Sequence, residues 1–157
     1  MSDGRVSTYL NDHLAGSVGA IELMERAIQE NAGSLLACRL EEILREIKKD
    51  QAVVQDLIER IGSKENPLKK AGAWLVEKVG RVKLGGSDDP SELARLEVLE
   101  TLAMGIQGKR ALWRALRVVA DRYPALQELD LNLLERRAAE QHDRVEEWRL
   151  EAAREVL

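Results

Sequence analysis

Leu35-Leu-Ala-Cys-Arg-Leu-Glu-Glu-Ile-Leu-Arg-Glu-Ile-Lys-Lys-Asp50-Gln-Ala-Val-Val-Gln-Asp-Leu-Ile-Glu-Arg-Ile61 is the stretch that decides the fold. Leu36, Leu40, Ile43, Ile47, Val54, Leu57 and Ile61 recur at alternating spacings of three and four, with Asp50 in the same row. That period draws one apolar stripe along a helix of about seven turns. Ser34 supplies an N-cap hydroxyl, and Gly62 ends the run.

Three further tracts read the same way. Leu10, Leu14, Ser17, Ile21, Met24 and Ile28 form the seam of a helix over about 7–31, which stops at Asn31-Ala-Gly33. Asp89-Pro90-Ser91-Glu92 is a capping-box start for a helix over about 90–121, with Leu99, Leu102, Ile106, Lys109, Trp113, Leu116 and Ala120 in its seam. Tyr123-Pro124 closes it, because proline disfavours the helical conformation in the residue before it. After a connector over 125–130, Leu131, Leu134, Ala138, Gln141, Val145, Trp148 and Ala152 line a last helix over about 131–156. Between the second and third tracts, Asn66-Pro67 opens a shorter run, Leu68, Ala71, Leu75, Val79 and Val82, which predicts a crossover helix over about 67–83 before Gly85-Gly86. The expected fold is all-α. It is one domain over 1–157, a four-helix bundle with one long crossover that contains an extra short helix.

Composition narrows the function classes. The 157 residues are enough to bury a sizeable core, and the absence of Phe with only three Pro favours helix over sheet. A net charge of -4 gives no general reason to bind nucleic acid, and no apolar run approaches the roughly 18 residues of a membrane span. The N-terminal run Met1-Ser-Asp-Gly-Arg-Val-Ser7 has no apolar leader pattern. The single Cys38 forms no intramolecular disulfide, so the cytoplasm is the expected compartment. Cys38 itself reads as a small buried helix residue. The crossover is locally basic, with Lys64, Lys69, Lys70, Lys78, Arg81 and Lys83 against Glu65 and Glu77, and reads as a solvated face. Homodimerisation through an exposed apolar strip is a further expectation.

Helix order and the long crossover, together with the runs Tyr9-Leu-Asn-Asp-His-Leu-Ala-Gly-Ser17 and Gly105-Ile-Gln-Gly-Lys-Arg-Ala-Leu-Trp113, resemble uncharacterised bacterial members of the ferritin-like superfamily. The resemblance implies that superfamily's bundle, with its functional centre in the middle of the four helices. Diiron and dimanganese members place a Glu on each of two helices and a Glu-x-x-His on each of the other two. This chain departs from that pattern, since Leu10 and Ala139 stand three positions before its only histidines, His13 and His142. What interrupts the four seams at mid-height is Ser17, Asp50, Lys109 and Gln141, with His13 one turn before Ser17. A Lys109–Asp50 pair would put a protein-borne charge where a metal would sit, and then no cofactor is expected. In the competing reading Lys109 snorkels to solvent along an apolar wall. The expected function is a non-enzymatic bundle with a structural or interaction role. The rival is a carboxylate-bridged di-metal oxidoreductase or metal store that holds iron or manganese on Glu22, Glu46, Glu100 and Glu140. Glu41, Glu42 and Glu46, followed by Lys48 and Lys49, also read as surface patterning.

Gly16 and Gly19 on the first helix and Gly105 and Gly108 on the third each cost up to about 1 kcal/mol against alanine inside a helix. Close packing of the two helices is the first explanation. The second is a mid-bundle cavity bordered by His13, Ser17, Gln107 and Gln141, which would make the protein a small-ligand binding module. A Ser17–His13 hydrolase is weakly indicated, because no Gly-x-Ser-x-Gly elbow is present.

Overall fold

The computed structural model describes residues 3–61 and 90–157, and all of its regular elements are helical. They are α1 (Asp3–Glu30), α2 (Leu35–Ile61), α3 (Pro90–Val118), a turn of 3-10 helix (Ala120–Arg122), the short α4 (Pro124–Gln127) and α5 (Leu131–Val156). The expected crossover helix over 67–83 and the Asp89 cap lie outside the described residues.

The boundaries follow from local chemistry. Gly33 takes a left-handed φ of 81° just past α1, and the carbonyl of Ala27 accepts from both the backbone and the side-chain amide of Asn31, which closes the last turn. Ser34 Oγ accepts from the amide of Ala37 at 3.1 Å, which caps α2. Asp130 Oδ1 does the same for the amide of Leu133 at 2.9 Å and starts α5. Two expectations shift. α1 begins at Asp3 rather than near Ser7, and α3 ends at Val118 rather than Asp121. Tyr123 is extended ahead of Pro124, as proline requires, and the chain between the long helices winds into the 3-10 turn and α4 instead of a plain connector.

Two apolar clusters fill the interior. One joins Leu10 and Leu14 of α1, Leu57 of α2, Trp113 and Leu116 of α3 and Leu134 of α5. The other joins Met24, Leu40, Ile43, Leu99, Ile106 and Val145. The first cluster draws on the N-terminal parts of α1 and α5 and the C-terminal parts of α2 and α3. α1 and α5 therefore run one way, α2 and α3 the other, and α2 ends at the opposite end from the start of α3. α1 packs on α2 and on α3, and α3 packs on α5. Ser17, Asp50, Lys109 and Gln141 all fall at the height where the first cluster gives way to the second. No helix among the described residues is long and apolar enough to cross a membrane.

Candidate functional site

Asp50 is 2% exposed and Gln141 fully buried, the only polar residues buried to that degree among those described. Lys109 reaches them from α3 with its side chain 15% exposed, so it turns inward rather than snorkelling. Its Nζ donates to Asp50 Oδ2 at 2.6 Å and also to Gln141 Oε1. Gln141 Nε2 donates to Glu46 Oε2 at 2.9 Å and, more weakly, to Asp50 Oδ2 at 3.3 Å. Arg137 closes on Asp50 Oδ1, and Arg144 donates to Glu46 Oε2 at 2.6 Å. Lys109, Arg137 and Arg144 thus face the carboxylates of Glu46 and Asp50 in one network that ties α2, α3 and α5 together.

Glu46, Arg137 and Arg144 were not singled out by the seams, and Glu46 is half-buried, with its carboxylate turned into the network rather than free on the surface. A signal was nevertheless present. Glu46 stands four residues before Asp50, and Arg137 and Arg144 stand four before and three after Gln141, so each shares a helix face with a seam polar residue. Burial raises the Glu46 carboxyl, but hydrogen bonds from Arg144 and Gln141 and the charges of Arg144 and Lys109 outweigh it and hold the group below the usual glutamate range. Burial holds the Lys109 ammonium below the usual lysine range, while Asp50 pulls it back up by charge and hydrogen bond.

Ser17 stays out of this network. Its hydroxyl donates to the carbonyl of Leu14 at 2.6 Å and accepts from Gln51 Nε2 at 2.9 Å. With its proton committed to the backbone, it is poorly set as a nucleophile for His13. The His13 ring instead meets the Tyr9 ring edge-on, with centroids 4.7 Å apart, and burial holds it below the usual histidine range against the pull of Asp12.

Both residues border a cavity of about 430 Å³ between α1, α2 and α3. Gly16, Gly19 and Ala20 continue its wall on α1, Ile47, Asp50 and Gln51 stand on α2, and Gly105, Gly108 and Lys109 close it from α3. The close packing expected at the glycines is absent at Gly16, Gly105 and Gly108, where a Cβ would meet nothing within 4 Å. These positions open onto the cavity. Its border also differs from the expected one: Gln107 is exposed and Gln141 lies within the polar network, and neither lines the space.

The carboxylates of the rival metal site are dispersed. Glu22, Glu100 and Glu140 are exposed, and Glu100 lies 3.5 Å from Arg149. Among the described residues no group of three or more His, Cys, Asp or Glu is placed to hold a metal ion. Cys38 is exposed rather than buried.

Comparison with protein-family models, with curated proteins and with solved structures finds no match for the chain.

Proposed function

We propose that this protein is a non-enzymatic ferritin-like four-helix bundle in which side-chain charge stands in the place of a metal centre, and that it works by binding rather than by chemistry. Helix order and direction support the ferritin-like part of the reading, with α2 and α3 parallel and a long segment between them. The observation that carries the functional part is the ammonium of Lys109, 2.6 Å from Asp50 Oδ2. A divalent cation on Asp50 would have to displace Lys109 from one oxygen and Arg137 from the other. It would also find no imidazole among the groups bonded to that network. Like charges that close are strongly unfavourable in a poorly hydrated interior.

Elemental analysis of protein purified from iron- and manganese-supplemented medium tests the reading. The expected content is far below one metal ion per chain, unchanged in Asp50→Asn. Stoichiometric iron or manganese that Asp50→Asn abolishes would establish the opposite, a carboxylate centre at this height.

A further inference from the structure

The cavity between α1 and α3 has a polarity gradient that specifies a ligand class. Asp12, His13, Ser17, Gln51, Asp50 and Lys109 gather near the height of the buried network, with Asp12 on the exposed rim. From there the walls become mainly apolar toward Ala20, Leu23, Ile47, Leu102 and Ile106, with Thr101 as the polar residue at that end. The seven residue steps from Leu102 to Lys109 rise about 10 Å along α3, the length of an extended chain of about eight carbons. At 430 Å³ the space lies within the range of small-molecule pockets, roughly 300–1,000 Å³.

The polar end is matched to an acceptor. An ammonium has three hydrogens, and Lys109 gives two of them to Asp50 and Gln141. Both Asp50 oxygens are already occupied, by Lys109, Gln141 and Arg137, so that carboxylate is not left to attract a cationic ligand. The network behind the cavity holds one more cation than anion, counting Lys109, Arg137 and Arg144 against Glu46 and Asp50, while Asp12, the other carboxylate on the lining, is exposed to solvent. The glycines argue that the space is kept open: at Gly16, Gly105 and Gly108 a methyl group would meet nothing, yet the helix-stabilising alanine is absent from all three.

We infer that this cavity binds a small amphipathic carboxylic acid, its carboxylate on the remaining donor of Lys109 and its hydrocarbon chain laid between α1 and α3 toward Leu23 and Leu102. This goes beyond the metal-free reading above and is tested separately from it.

Titration calorimetry of the full chain with octanoate and, in parallel, with 1-octanol decides the point. Octanoate is expected to bind one per chain and about tenfold or more tighter than the alcohol, the worth of a charge-assisted hydrogen bond. Lys109→Met should bring the two ligands to similar affinity, and Gly105→Leu, which fills the cavity from a site outside the polar network, should abolish both while leaving thermal unfolding cooperative. Should Lys109→Met not fold, the wild-type preference and Gly105→Leu still decide. The inference is overturned by absence of octanoate binding, by equal affinity of acid and alcohol in the wild type, or by undiminished octanoate binding in Gly105→Leu.

Discussion

Asp50 accepts from Lys109, Arg137 and Gln141 at once, and the three donors differ in what they can do without it. Arg137 is about one-third exposed and can turn its guanidinium to water, whereas Lys109 at 15% exposure has little room to do so. Asp50→Ala therefore strands a buried cation, and urea denaturation should show a loss of about 3–5 kcal/mol. Lys109→Met leaves Asp50 paired to Arg137 and Gln141 and should cost clearly less; the reverse order would mean that Lys109, not Asp50, anchors the network. Glu46 adds a pH dependence. Its folded-state pKa lies below the ordinary glutamate value, so its contribution is complete above about pH 4.3 and is lost as pH falls through the lower folded value. The stability gap between wild type and Glu46→Gln should accordingly be constant near neutrality and close below pH 4.3. A gap that closed between pH 5 and 7 would contradict that sign. Asp50, Lys109 and Gln141 were legible in the sequence because each breaks an apolar row. Arg137 and Arg144 were not, because they stand one turn from Gln141 among charged flanks of the same composition as the solvent face, and Glu46 was legible only as an alternative metal ligand or as surface patterning.

Each long helix was legible from its seam, since burial of one stripe imposes the three-and-four spacing whatever the neighbours are. α2 and α5 match their expected bounds, and each begins on a side-chain cap, Ser34 for α2, which was legible, and Asp130 for α5, which was expected only as the end of the connector. The end of α3 was misplaced by about one turn because the only breaker in that region is Pro124. Proline acts on Tyr123, and the residues before it carry no glycine to say where the α-helix relaxes into a 3-10 turn. The side chains that hold α2 against α5 are long ones: Arg39 on Glu151 at 2.7 Å, Arg144 on Glu46 and Arg137 on Asp50. Those contacts depend on which helices become neighbours, information that no single amphipathic tract contains. The same holds for Lys48 on Glu25 between α1 and α2, a surface pair of small energetic weight.

The arrangement of the four helices separates two jobs that the seam polar residues had been expected to share. Asp50, Lys109 and Gln141 turn toward the space among α2, α3 and α5, while Ser17 and His13 face the opening between α1 and α3, and only Lys109 and Asp50 touch both. The glycines were legible as an anomaly but not in their meaning, because a missing side chain is equally suited to a close contact and to an empty space; the distance to the nearest atom decides, and it exceeds 4 Å at Gly105 and Gly108. Close contact would make alanine there destabilising. Open space predicts the opposite sign. Gly105→Ala and Gly108→Ala should each stabilise the protein by about 0.4–1 kcal/mol, by lowering the entropy of the unfolded chain and improving helix propensity. In a chain of this length that corresponds to a rise in Tm of about 2–4 °C per kcal/mol. The double variant should come close to the sum, since the two added methyl groups meet nothing on α1. Because the same methyl groups project into the cavity, the more stable variants should bind octanoate more weakly, so stability and affinity move in opposite directions along the series. Stabilisation with unchanged affinity would leave the open space without a binding role, and destabilisation would restore the close-packing explanation of the glycines.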